Sequence, residues 1–158
     1  MKSVDKKLCD FCFCEIIEKR VRKEIRQGNL LKRFDKVLIL DDNSGKSALN
    51  KYLIKNIVSD PTIKFTLKKI KLFDINSNYD SKRAFGKIII PWNLEDETAE
   101  YLKTFLSNRK NIILNKKIIK PLIVVSEGDA LNYAIIKKLN FDKKKSPRDD
   151  ARKMIEKM

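Results

Sequence analysis

The run Lys36-Val37-Leu38-Ile39-Leu40, followed at once by Asp41-Asp42-Asn43-Ser44-Gly45-Lys46-Ser47, constrains the fold more than any other stretch of this chain. Val37 to Leu40 is unbroken apolar sequence and reads as a buried strand. Asp42, Asn43, Ser44 and Gly45 force a tight turn, and Ser47 to Val58 has helical spacing. A strand that turns sharply into a helix gathers free backbone N–H groups and a positive helix end at one point. Such a point is a seat for phosphate. Three readings of the turn stand. Gly45-Lys46-Ser47 suits the end of a Walker A loop, but Leu40 stands where that motif needs its first glycine, and no convincing Walker B strand follows. The turn is otherwise an eroded phosphate loop of another type, or an ordinary strand-to-helix turn capped by Ser44 or Ser47.

The rest of the chain repeats the strand-then-helix pattern. Phe13 to Gln27 is expected to be helical, with Ile16, Ile17, Val21 and Ile25 in one stripe and Gly28-Asn29 ending it. Arg20, Arg22, Lys23 and Arg26 make its other face basic, which suits RNA or merely solvent. The helix Ser47–Val58 stops before Asp60-Pro61. Lys64 to Phe73 alternates polar and apolar and predicts a strand, an edge strand given its lysines. Asn76 to Ser81 reads as a loop, and Lys87 to Ile90 as a third strand. Glu95 to Leu106 predicts a helix with Leu94, Ala99, Leu102 and Phe105 inward and an acidic first turn that complements its dipole. Ile112 to Val125 suits one or two strands. Ser126 caps a helix over Glu127–Leu139, with Asp129 completing an approximate capping box. Ser146-Pro147 opens a last helix. Strands alternating with helices imply an α/β fold, a Rossmann-like parallel sheet with helices on both faces and ligands at the carboxyl ends of its strands. The expected division is an N-terminal cysteine segment and basic helix over 1–34, then the α/β domain over 35–158.

Composition narrows function. The 158 residues carry a formal net charge of +15, which attracts polyanions. Nucleic acid is the favoured partner and an acidic protein the next, against the plainer reading that lysines simply coat the surface. Histidine is absent, which removes the usual general base near neutral pH, Cys/His zinc sites and a Ser-His-Asp triad. No apolar run is long enough to span a membrane, and Met1 to Lys7 lacks a signal core. With the three cysteines confined to Cys9, Cys12 and Cys14, too close for a disulfide framework, the expectation is a cytoplasmic protein. Those cysteines could hold zinc as half of a knuckle. A tetrahedral site would then need Asp10, Glu15 or a second chain as fourth ligand, and a second chain would make the protein a homo-oligomer. Phe11 and Phe13 between them favour packing or free thiols instead. Glu95-Asp96-Glu97 could bind Mg²⁺, or serve only the helix dipole.

Four segments, in order, resemble one family. Cys9-Asp10-Phe11-Cys12-Phe13-Cys14-Glu15 followed by Lys19-Arg20-Val21-Arg22 matches a pattern C-x-x-C/H-F-x-E with a basic K/R-K/R-V-K/R four residues on. Lys36-Val37 leads into Asp42–Ser47, where the family has a strand and the loop S-G-G-K-D-S. Pro91-Trp92-Asn93-Leu94-Glu95-Asp96-Glu97 stands in register with G-H-N-x-D-D-E. Ile119-Lys120-Pro121-Leu122, with Ser126-Glu127 and Tyr133-Ala134, matches an I-x-P-L element and the helix after it. Over roughly Cys9 to Leu139 the chain resembles the tRNA 2-thiolation branch of the PP-loop (N-type ATP pyrophosphatase) superfamily.

The resemblance implies the PP-loop fold. It also places ATP and Mg²⁺ contacts at Asp42, Asn43, Ser44, Gly45, Lys46, Ser47 and Asp96, zinc at Cys9, Cys12 and Cys14, and RNA contacts at Arg20, Arg22, Lys23 and Arg26. The departures point away from catalysis. Aligned without gaps, the loop keeps only Ser47; slid by one residue it regains Gly45 and Lys46 but loses that serine. Lost glycines keep the backbone from approaching phosphate. Trp92 replaces the motif's histidine, half of the paired knuckle is missing, and Asn76 to Gly86 lacks the family's cluster or sulfur-transfer cysteines. The expected function is that of a non-catalytic or weakly active companion in tRNA 2-thiolation, binding tRNA, an intact thiolation enzyme, or both. The alternatives are an ATP-dependent adenylating enzyme of the same superfamily and a small metal- or thiol-binding protein.

Overall fold

In the computed structural model, which describes residues 8–69, 85–107 and 117–142, the run Val37–Leu40 lies within the central strand. β1 (Lys36–Asp41) is buried at every position after its first. Side chains alternate across a strand. Val37 and Ile39 therefore enter one apolar cluster, while Leu38 and Leu40 enter another with Ile88 and Ile90. A strand apolar on both faces needs neighbours on both edges. β2 (Lys64–Lys69) and β3 (Lys87–Ile89) supply them, and β4 (Ile118–Ile119) extends the sheet beyond β3, giving the order β2-β1-β3-β4. All pairings are parallel, with Val37 opposite both Phe65 and Lys87, and Ile88 opposite Ile118. The lysine-rich β2 is an edge strand and is exposed along nearly its whole length. The sheet and its helices form the expected α/β Rossmann-like fold.

The larger core joins the sheet to α1 (Asp10–Gln27), α2 (Gly45–Ile57), the 3-10 turn Pro121–Val124 and α4 (Glu127–Ile136). In α1 the buried residues are Cys14, Ile17, Val21 and Ile25, spaced by three or four; Ile16 lies at the margin. Tyr133 of α4 is fully buried and its hydroxyl donates to Glu18 Oε1 at 2.7 Å. Burial, followed by that carboxylate, pushes the phenol well above its usual value. The boundary expected after residue 34 thus falls between elements that share one core.

Several element ends differ from expectation for local reasons. α1 starts at Asp10, before Phe13, because Cys9 caps it: its Sγ accepts the Cys12 N–H. α2 starts at Gly45, not Ser47, because Ser44 is the cap. α4 ends at Ile136 instead of Leu139; Lys138 takes φ 52° and the Leu139 N–H reaches back to Ala134 C=O, a Schellman-type stop. Within Ile112–Val125 the described strand is only Ile118–Ile119, since Pro121 has no N–H for a ladder and opens a 3-10 turn. The expected strand's residues 70–73, the loop Asn76–Ser81, residues 112–116 and the helix at Ser146 lie outside the described residues.

One expectation is reversed. α3 (Leu94–Ser107) contains no buried residue, and Leu102 and Phe105, expected inward, are 51% and 75% exposed. The helix is held by its first turn: Leu94 N–H donates to Val125 C=O, and Glu95 Oε2 accepts the Glu127 N–H. Periodicity marks an apolar stripe but not what covers it.

If α1 belongs to the main core, Ile17→Ala lowers the stability of the whole domain by about 2–5 kcal/mol, the usual cost of emptying a buried isoleucine site. Urea unfolding followed by Trp92 fluorescence measures it. An unchanged midpoint would mean that α1 is an appendage.

Candidate functional site

The site begins where β1 ends. Asp41 is 1% exposed, and a carboxylate at such depth needs partners. Its Oδ1 accepts the Asn43 N–H at 2.9 Å and the Ser47 hydroxyl at 2.7 Å, and its Oδ2 meets Lys51 Nζ at 2.6 Å. Burial by itself raises the carboxyl; the bonds from Lys51, Ser47 and Asn43 outweigh it and hold it below the usual aspartate value. Strand, turn and helix are thereby tied to one side chain.

The turn is closed by its own polar groups. Asn43 sits at φ 62°, a left-handed position that asparagine tolerates. Asp42 Oδ1 accepts both the N–H and the hydroxyl of Ser44, and Ser44 Oγ accepts the Ser47 N–H at 3.2 Å. The amides of Gly45 and Lys46 are left without acceptors among the described residues. Two open N–H groups at a helix start attract an anion, but two consecutive carboxylates, Asp41 and Asp42, stand beside them. Over the turn lie Phe141 and Leu131, whose side chains come within 3.5 Å and 3.6 Å of where a Gly45 Cβ would be. Asp142 N–H donates to Asn43 C=O at 2.8 Å.

Lys46 and Asp96, both singled out in the sequence, meet: Nζ and Oδ2 are 2.6 Å apart and the lysine side chain is 9% exposed. α3 delivers Asp96 through a reciprocal cap. Asn93 N–H donates to Asp96 Oδ2 at 3.1 Å, and Asp96 N–H donates to Asn93 Oδ1 at 3.0 Å. Trp92 Nε1 and Lys120 Nζ both reach Glu97 Oε2, at 2.7 Å and 2.6 Å. The structure thus brings Asp42, Asn43, Ser44, Gly45, Lys46, Ser47 and Asp96 to the carboxyl end of the sheet.

The other candidates lie elsewhere. Cys9 and Cys12 are exposed near the start of α1, whereas Cys14 is buried in the core. The Cys12 backbone N–H, then its thiol, lowers the Cys9 thiol; the shared bond raises Cys12, and burial raises Cys14. Among the described residues no three Cys, Asp or Glu side chains converge as a metal site. Lys23 and Arg26 are exposed on α1, and Arg20 and Arg22 are half-buried there. Sequence reasoning missed Asp41 and Lys51 as the anchor of the turn. The signal was an acid directly ending an apolar run with a lysine ten residues on. It also missed the buried amide of Asn50, whose Oδ1 and Nδ2 have no partner, and that of Asn93, whose Nδ2 has none.

The depressed Asp41 carboxyl fixes a pH dependence. Its stabilisation is complete above the unfolded value of 3.8 and is lost as pH falls through the folded one. Asp41→Asn is therefore expected to cost about 1–3 kcal/mol at pH 7, with the gap to the parent protein shrinking toward pH 3 in denaturant titrations. A gap independent of pH would mean that the carboxylate charge is not what holds the turn.

No family profile matches the chain, and no curated protein matches it in sequence. A solved structure does match in fold: the U34-tRNA thiolase NcsA from Methanococcus maripaludis with its [4Fe-4S] cluster. The TM-score is 0.64 at 17% identity, over 88% of this chain and 69% of the thiolase. The chain shares the fold of this thiolase.

Proposed function

We propose that this protein is a companion in tRNA thiolation that binds tRNA, an intact thiolase, or both, and has given up the nucleotide chemistry of the fold. The observation that carries the reading is the state of the turn after β1. A pyrophosphate loop offers uncommitted amides and cations to its ligand. Here the Asn43 and Ser44 amides are held by Asp41 and Asp42, and Lys46 and Lys51 are each engaged by a carboxylate. A bound polyphosphate would have to break these pairs, face two aspartates and displace Phe141 from above Gly45. The residues present therefore do not suit ATP.

The cysteine set does not suit an iron–sulfur cluster either. All three cysteines lie between Cys9 and Cys14, and Cys14 is in the core. Loss of both functions with retention of the fold is what a binding partner needs, and the +15 charge supplies the attraction for RNA. The exposed Lys23 and Arg26 of α1 are the first contacts to test.

The juxtaposition of Lys46 and Asp96 favours the second reading, an enzyme that still adenylates its substrate. In that case Lys46 would meet a phosphate and Asp96 a Mg²⁺ ion, each leaving the other.

Filter binding with bulk tRNA tests the first reading. We expect binding at 50 mM salt that weakens at least tenfold by 200 mM, in line with roughly several phosphate contacts. Lys23→Glu with Arg26→Glu should weaken it further and flatten the salt slope. Absence of binding at 50 mM salt would remove tRNA as a partner.

A further inference from the structure

The turn that leads into β1 holds an aromatic residue where backbone geometry calls for glycine. Asp35 N–H donates to Lys32 C=O at 3.2 Å, closing a β-turn over Arg33 and Phe34. Phe34, the third residue of that turn, has φ 66°. This is the type II position, where glycine or asparagine is favoured and a bulky side chain is strained. The conformation is held both from within the turn and from outside it. Phe34 N–H donates to Thr62 Oγ1 at 3.2 Å, Lys32 N–H donates to Asp35 Oδ2 at 2.7 Å, and Asp35 C=O accepts the Lys64 N–H at 3.0 Å. Packing does not explain the phenylalanine, because the residue is 78% exposed. A strained backbone and an exposed ring are both unfavourable for folding, so their combination calls for a use outside the fold.

The charges around the ring indicate what it meets. Lys32, Arg33, Lys36 and Lys64 are all exposed on the same turn and on the adjoining starts of β1 and β2. The acids nearby are engaged. Asp35 is 2.8 Å from Lys87 Nζ, and Asp60 accepts from the Thr62 N–H and hydroxyl, with Arg33 at 3.8 Å. An exposed ring beside exposed basic side chains suits a nucleobase flanked by its phosphates, the arrangement of single-strand RNA platforms. An apolar protein surface would not account for the surrounding charge. The site is also separate from the phosphate-loop turn. Phe34 precedes β1 and the loop follows it, so the length of a six-residue strand, about 20 Å, lies between them.

We propose that Phe34 is a stacking platform for an unpaired base of RNA, with Lys32, Arg33, Lys36 and Lys64 gripping the adjacent phosphates. The proposal rests on the RNA-binding reading above but fixes where and how the contact is made.

Phe34→Gly tests it with opposite signs for folding and binding. Glycine relieves the positive φ, so the variant should unfold at the same or a higher denaturant concentration than the parent. Its affinity for bulk tRNA and for an eight-nucleotide single-stranded RNA should fall about 5- to 100-fold, the effect of losing one stacked base. Ultraviolet cross-linking of the parent protein to that RNA should give an adduct on the peptide containing Phe34. Parent protein that binds the single-stranded RNA through Phe34 but not tRNA would overturn the tRNA reading and leave the platform standing. Equal RNA affinity of parent and Phe34→Gly would overturn the platform, as would failure of the parent to bind either RNA.

Discussion

The buried carboxylate of Asp41 is the group on which the architecture of this protein turns. It ends the central strand, receives the first amide of the turn, holds the Ser47 hydroxyl in the first turn of α2 and pairs with Lys51 one turn further along. A charge taken this far out of water is tolerated only because both of its oxygens are paired. The same bonds that tie the strand-to-helix turn together engage the Asn43 amide and Lys51 and leave the Gly45 and Lys46 amides open among the described residues. Asp42 repeats the arrangement one residue on, by taking the Ser44 amide and hydroxyl.

The two ends of β1 differ in how their charges are paired. At the carboxyl end, where α/β folds place their ligands, cations meet carboxylates and the turn is covered by Phe141 and Leu131. At the amino end, Arg33 and its neighbouring lysines are exposed and Phe34 projects from a strained turn.

Much of this was legible in the sequence where one physical effect dominates. Four apolar residues at Val37–Leu40, ending in turn residues, read as a buried strand, and β1 is central. Lysines through Lys64–Lys69 marked an edge, and β2 is one. Lys46 and Asp96 were named together and do meet, though as partners of each other. Where two effects compete, the sequence was ambiguous. Ser44 and Ser47 were both plausible caps for α2, and only the bond from the Ser47 amide to Ser44 Oγ distinguishes them. The stripe of α3 looked like core because periodicity reports a face and not its cover. Cys14 was grouped with Cys9 and Cys12 by spacing, yet two residues along a helix rotate a side chain to the opposite side. Asp41 escaped notice because its partners, Asn43, Ser47 and Lys51, converge only once the helix has formed.

Calorimetric titration of Mg²⁺–ATP into the protein, in parallel with an Asp42→Gly variant, bears most directly on this account. The parent should give no saturable heat at millimolar nucleotide. Asp42→Gly removes the carboxylate that occupies the Ser44 amide and should show measurable, if weak, binding. Micromolar affinity in the parent, unaffected by Asp42→Gly, would contradict the account and return the protein to the nucleotide-dependent enzymes of its fold.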